Sequence, residues 1–200
     1  MEVEVKIMMK PDEWQKYIDQ IHKDIGRVDE VVREDTYYSK YGSLENGKKE
    51  NEPLIRIRKE VDLNEDYSNV KYYLTIKRKQ LLGDAETNVE IENIIESDPE
   101  GEKPEALWEL LKVAGYKPVF TKTKESRGYH TADDMHIEFV KVSKGKKTLY
   151  ALEVEKIIEE SSPGDYVSVV SDELDYIAGV YSPELPTRLE SRTWKQLLEE

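Results

Sequence analysis

The sequence predicts an α+β protein: a closed antiparallel β-barrel (a tunnel) of about eight strands with a charged lumen, flanked by amphipathic helices. Three observations carry this. Strand-like segments recur along the chain, nearly all with an ionic face opposite an apolar one. Helix-like segments are few, and each has one apolar stripe that needs a surface to cover. The same alternation stands near both ends, as Glu2-Val3-Glu4-Val5-Lys6 and as Glu153-Val154-Glu155-Lys156.

The elements follow in order. Residues 1–9 read as a strand. Successive side chains alternate faces, so Glu2, Glu4 and Lys6 share one face and Val3, Val5 and Ile7 the other. Residues 11–25 read as a helix. Pro11 suits its first turn, Asp12 and Glu13 suit its positive end, and Trp14, Tyr17, Ile18, Ile21 and Ile25 recur at helical spacing, with Gly26 as a stop. Residues 27–41 read as one or two strands ending in Thr36-Tyr37-Tyr38, and 42–53 as a polar loop or hairpin tip. Alternation is plain in Leu54-Ile55-Arg56-Ile57-Arg58, in residues 72–79 and in Asn88-Val89-Glu90-Ile91-Glu92.

A linker spans 99–104, and a helix is expected over 105–114, with Leu107, Trp108 and Leu111 on one side and Gly115 as its cap. Strands resume at about 117–129, 135–142 and 148–158. Ser162-Pro163-Gly164 breaks the chain before a helix over 166–179 and a loop with Pro183 and Pro186. A last short helix begins near Ser191, with Trp194, Leu197 and Leu198 on its apolar side. No repeat and no second domain is legible, so residues 1–200 read as one domain.

Composition excludes several function classes. The chain has 200 residues and no cysteine, which removes disulfide frameworks, thiolate metal sites and cysteine nucleophiles. Its net charge of −13 argues against a nucleic-acid partner. No apolar run reaches the roughly 18 residues of a membrane span. The chain opens on a strand rather than a signal peptide, and a cytoplasmic location is expected.

The ionic faces then point to chemistry. The helices need the apolar strand faces beneath them, so the sets Glu2/Glu4/Lys6, Arg56/Arg58, Lys77/Lys79, Glu90/Glu92, Lys122/Lys124 and Glu153/Glu155 turn inward. Burying unpaired charge is expensive. A lumen of both signs stays wet or holds a ligand that uses both, such as a polyphosphate with a divalent metal. Lys and Arg suit phosphate oxygens. Glutamates suit Mg²⁺ or Mn²⁺ through hard oxygens. Phosphoryl transfer relies mainly on positioning and charge stabilisation, so no Ser, Cys or His nucleophile is required.

In this order the motifs resemble those of the CYTH superfamily, the triphosphate tunnel metalloenzymes. Glu2-Val3-Glu4-Val5-Lys6 resembles the ExExK signature, and Thr36-Tyr37-Tyr38 the aromatic strand. Leu54-Ile55-Arg56-Ile57-Arg58 resembles the LRIR strand, Leu74-Thr75-Ile76-Lys77 the LTxK strand and Glu90-Ile91-Glu92 the following ExE. Gly115-Tyr116-Lys117-Pro118-Val119 with Lys122-Thr123-Lys124 resembles GYxPV…KxR. Leu152-Glu153-Val154-Glu155 resembles the closing EIE strand, and residues 191–198 the terminal SYxxLL helix.

The resemblance implies a Mg²⁺- or Mn²⁺-dependent hydrolase of an inorganic, nucleoside or thiamine triphosphate. A class IV adenylate cyclase and a non-catalytic polyphosphate- or nucleotide-binding module are the alternatives. Glu2, Glu4 and Lys6 would be catalytic. Lys6, Arg56, Arg58, Lys77, Lys79, Lys122 and Lys124 would bind phosphate. Glu2, Glu4, Glu153 and Glu155 would hold metal, with Glu90, Glu92 and Glu138 as further candidates. The family is often dimeric, which makes a homodimer one implied assembly. Three positions depart from the pattern. Asn88 and Lys124 stand where arginine is usual, and Val140 stands near the place of a metal-holding aspartate.

Other residues read as ordinary structure. His22, His130 and His136 are expected at structural or surface positions, the three tryptophans in helix cores, and Lys144–Lys147 at a solvated hairpin tip.

Overall fold

The computed structural model describes residues 2–24, 28–40, 54–64, 70–82, 85–95, 104–132, 134–158 and 163–200. The expected loops at 42–53 and 99–103, and the stop at Gly26, lie outside them. Eight strands form an antiparallel sheet: β1 (Glu2–Met9), β2 (Asp29–Ser39), β3 (Leu54–Asp62), β4 (Val70–Leu82), β5 (Ala85–Ile95), β6 (Lys117–His130), β7 (Met135–Lys144) and β8 (Lys147–Ile157). The neighbour order is β1-β5-β4-β3-β2-β6-β7-β8. Four α-helices stand among the described residues: α1 (Pro11–Asp24), α2 (Glu105–Val113), α3 (Pro163–Val180) and α4 (Trp194–Glu199).

Residues 29–39 are one strand, within the one or two expected over 27–41. Two boundaries differ from expectation for local reasons. Pro163 opens α3 instead of only breaking the chain, because proline lacks an N–H that the first helical turn leaves unused anyway. α4 begins three residues after Ser191, where Thr193 accepts from the Gln196 amide and the Gln196 side chain accepts from the Thr193 amide, a reciprocal capping box. The expected loop before it contains a short 3-10 turn, Leu185–Arg188.

The chain divides into two compact units, one of Met1–Asp29, Lys79–Asn88 and Ser126–Glu200, the other of Glu30–Arg78 and Val89–Glu125.

In the first unit the apolar strand faces form the core. Val3, Val5 and Ile7 of β1, Ile137 and Phe139 of β7, and Leu152 and Val154 of β8 are fully buried. Trp14, Tyr17, Ile18 and Ile21 of α1 and Ile177 of α3 join the same cluster. Each such aliphatic side chain contributes about 1.5–3 kcal/mol relative to exposure. This burial sets which strand face is left for the ions. The edge of β1 is shared: β5 pairs with Glu2–Glu4, while Leu189 bridges Ile7 and the Glu190 amide donates to the Lys6 carbonyl.

In the second unit α2 covers β2–β4 in the same way. Tyr38, Ile57 and Leu111 form a buried cluster with Ile55, Leu74, Leu107, Trp108 and Tyr116 packed against it. α2 ends as Gly115 predicts. Gly115 takes φ +85°, its amide donates to the Lys112 carbonyl, and the Tyr116 amide donates to the Leu111 carbonyl.

Candidate active site

On the first unit the ionic face is carried by β1, β8 and β7, and the register builds two rows. Lys6 lies opposite Glu153, which lies opposite Glu138. One step along the strands, Glu4 lies opposite Glu155, which lies opposite His136. Like charges directly opposite one another destabilise a sheet. Acids facing acids are therefore an arrangement that a shared cation relieves. Glu138 and Glu153 are 6 % and 5 % exposed, with His136 Nε2 3.9 Å from Glu138 and Lys6 across the register from Glu153. The next row, Met8, Ala151 and Val140, is apolar and ends the acidic patch. Gly128 of β6 makes room for it, since a Cβ there would lie 2.7 Å from the Ile137 carbonyl oxygen and 3.1 Å from Glu138 Cγ.

The C-terminal segment reaches the same row. Lys6 Nζ donates to the Arg192 carbonyl at 2.6 Å and lies 5.0 Å from the Trp194 ring centroid. Trp194 Nε1 donates to Glu153 Oε1 at 2.7 Å. α4 packs on β7 and β8, with Leu197 and Leu198 buried. Trp194 is thus not the core-packing residue its helical spacing suggests. Periodicity marks an apolar stripe but does not say which surface the stripe meets, and here the indole N–H finds a carboxylate. Trp14 is buried in the first unit's core as expected, while Trp108 packs edge-on to Tyr72. His130 and His136 stack on one another, with ring centroids 4.4 Å apart. Lys144 at the hairpin tip pairs with Glu199.

On the second unit the ionic face is basic and built around Asp35. This carboxylate is fully buried. Arg58, its cross-strand partner, donates to it through Nε at 2.7 Å and Nη2 at 3.1 Å, and Lys122 Nζ lies 3.0 Å away. Burial alone would push the Asp35 carboxyl up, but Arg58 and then Lys122 outweigh it and hold it well below the usual carboxylate range. Burial would likewise lower the Arg58 guanidinium, yet the Asp35 charge raises it above its ordinary value. Beside this pair, Arg56 Nη2 donates to Thr75 Oγ1 and to Glu92 Oε2, both at 3.0 Å, and Thr75 Oγ1 donates to Glu92 Oε2 at 2.6 Å. Lys122 and Lys124 are buried, whereas Thr121 before them is exposed and Thr123 between them is half-buried. The alternation of β6 is therefore real even though Lys117, Glu125 and Arg127 obscure it in the sequence.

The sequence-predicted residues thus fall into two groups. Lys6, Glu4, Glu138, Glu153 and Glu155 stand together in the first unit, with Glu2 further along β1. Arg56, Arg58, Lys122 and Lys124 share the basic face of the second, where Glu92 pairs with Arg56. The side chains of Lys77, Lys79 and Glu90 lie outside the described residues. Asp35, Thr75 and Trp194 are additions. A signal for Asp35 existed, since its parity with Tyr37 puts it on the strand face opposite Thr36. Among the described residues, no three acids or histidines are gathered closely enough to enclose a metal ion. Among them, too, no helix is long and apolar enough to cross a membrane.

Residues 1–167 match the sequence profile of the CYTH domain. The chain belongs to the CYTH domain family. No curated protein matches it significantly in sequence. Solved structures resemble it over nearly its whole length. PH1819 from Pyrococcus horikoshii OT3 has a TM-score of 0.73 at 23 % identity, covering 98 % of this chain and 97 % of the other. A putative adenylyl cyclase from Hippeastrum, described as having a dominant triphosphatase activity, has 0.62 at 16 %, covering 100 % and 95 %. A putative adenylate cyclase from Bacillus halodurans has 0.56 at 14 %, covering 100 % and 98 %. At these identities the likeness is one of fold, and the CYTH match stops short of α4.

Proposed function

We propose that this CYTH protein is a divalent-metal-dependent triphosphate hydrolase. The observation that carries the reading is the segregation of charge on the ionic strand faces. Glu4, Glu138, Glu153 and Glu155 gather around one lysine in the first unit, and Arg56, Arg58, Lys122 and Lys124 gather around Asp35 and Glu92 in the second. A metal-bound polyphosphate is the ligand that uses both sets. The wider reading is that the eight strands close into a barrel, that the two units are halves of one domain, and that the ionic faces line its tunnel. The pairing of β1 with both β5 and β8 supports closure.

The donor chemistry fits the metal. Opposed carboxylates offer the hard oxygens that Mg²⁺ and Mn²⁺ take. Mg²⁺ also keeps several waters and binds through one or two carboxylates plus substrate phosphate, so a closed cage of side chains is not required. Glu4, Glu153 and Glu155, with Glu2 and Glu138 beside them, would hold it. Bound there, it supplies polarisation of the phosphoryl group and activation of water. The chain's own residues do the rest. Arg58 and Arg56 orient phosphate oxygens through planar forks already fixed by Asp35, Thr75 and Glu92. Lys122, Lys124 and Lys6 add positive charge where charge builds up in the transition state. Glu4 and Glu155 orient the attacking water.

Hydrolysis is preferred to cyclisation because it needs no nucleoside pocket. The triphosphatase activity described for the Hippeastrum protein supports the same choice. The test is incubation with tripolyphosphate, thiamine triphosphate or ATP plus Mg²⁺ or Mn²⁺, with phosphate, pyrophosphate and cyclic AMP assayed together. Metal-dependent phosphate release is expected. Cyclic AMP from ATP would identify a cyclase instead, and binding without either product a polyphosphate-binding module.

A further inference from the structure

The geometry points to Asp35 as the positioning residue of the basic face: an internal counter-ion that holds Arg58 and Lys122 in place for a phosphate chain. This deepens the function proposed above and rests on it.

Asp35 is fully buried, so it is not a residue that a ligand touches from solvent. Its position two strands wide is what matters. Arg58 comes from β3 and Lys122 from β6, the strands on either side of β2, and Asp35 grips both. The grip on Arg58 is bidentate, which fixes the guanidinium plane as well as its place. Two cations brought this close would otherwise repel one another and splay. With Asp35 ionised, Arg58 and Lys122 stand as two cations against the one carboxylate they share. The neighbouring Arg33–Glu60 pair, at 2.8 Å, is neutral and leaves that ratio unchanged. Tyr37 and Phe120, which pack together with centroids 5.7 Å apart, continue β2 and β6 beside the cluster.

Two opposite consequences of removing Asp35 can be told apart. If the carboxylate only tempers charge, Asp35→Asn makes the face more positive and tightens anion binding. If it positions Arg58 and Lys122, Asp35→Asn weakens binding although the net charge has risen by one.

The probe is inorganic tripolyphosphate without metal, measured by calorimetry on the full chain and on Asp35→Asn, Arg58→Lys and the double variant. Circular dichroism and Tm are followed in parallel. About ten-fold or more weaker binding is expected for Asp35→Asn. The double variant is expected to be little weaker than either single one, because Asp35 acts through Arg58. Where Asp35→Asn does not reach the native dichroism, Asp35→Glu carries the same test, keeping the charge but displacing the fork, and is expected to bind several-fold more weakly. Unchanged or tighter binding by a folded Asp35 variant overturns the positioning role alone. Absence of binding by the unmodified chain overturns both this role and the function on which it rests.

Discussion

The two ionic faces handle buried charge in opposite ways. Around Asp35 every described carboxylate meets a cation within 3.1 Å, and the network closes on itself. Around Glu153 the sheet register sets acid against acid, Glu4 against Glu155 and Glu138 against Glu153. A closed network is rigid before any ligand arrives. The acid-on-acid register is held in place by the core beneath it, and under the proposed function it is where a cation would be added. Under the proposed function the difference is a division of labour: the basic face would be preorganised for an anion, and the acidic face would be completed by a metal.

The largest expected effect breaks the acidic side. Glu153→Gln keeps an acceptor for Trp194 but removes one ligand charge, and kcat with Mg²⁺ or Mn²⁺ should fall by about 10²-fold or more. An unchanged kcat would remove Glu153 from the site. Next, Arg58→Ala leaves the buried Asp35 carboxylate without its fork. Stability should fall by about 3–5 kcal/mol on the scale of broken buried pairs, read by urea unfolding. A loss within 0.5 kcal/mol would mean that Asp35 and Arg58 are not coupled.

The contrast also has a pH signature. The Asp35 carboxyl is lowered in the folded chain, so its stabilising contribution is complete above the ordinary aspartate value of about 3.9. It is lost as pH falls through the depressed value. Asp35→Asn should therefore flatten the acid limb of the stability curve below about pH 4, measured by urea midpoints across pH. An acid limb identical in both proteins would contradict the assignment.

A smaller effect is expected at Trp194→Phe, which keeps the ring and deletes the donor to Glu153. Mn²⁺ binding should weaken by only a few-fold, because one half-exposed hydrogen bond is lost. The smallest belongs to Lys112→Ala, whose pair with Glu109 is exposed on both sides, and stability should stay within about 0.5 kcal/mol.

How far these features could be read in advance depends on their range. Strands such as β1 and β3 alternate strictly, so their faces, and the helices needed to cover them, were legible from local pattern alone. The same holds for the Schellman end of α2, where Gly115 is the signal. Asp35 was not read as part of the site, because its meaning lies in pairing with Arg58, 23 residues away, and with Lys122 on another strand. Nothing in Thr36-Tyr37-Tyr38 announces that register. Trp194 was misread for a related reason. Its spacing with Leu197 and Leu198 fits a core stripe, while the bridge of Leu189 to Ile7 and the Glu190 amide bond to the Lys6 carbonyl bring the segment before α4 to the Lys6–Glu153 row.

The division of labour is tested most directly by separating two binding reactions. Mn²⁺ alone is titrated by electron paramagnetic resonance and metal-free tripolyphosphate by calorimetry, for the unmodified chain, Glu153→Gln and Arg58→Lys. Glu153→Gln is expected to lose Mn²⁺ affinity while keeping tripolyphosphate binding, and Arg58→Lys to do the reverse. Equal loss of both ligands in both folded variants, or loss of neither, would contradict it.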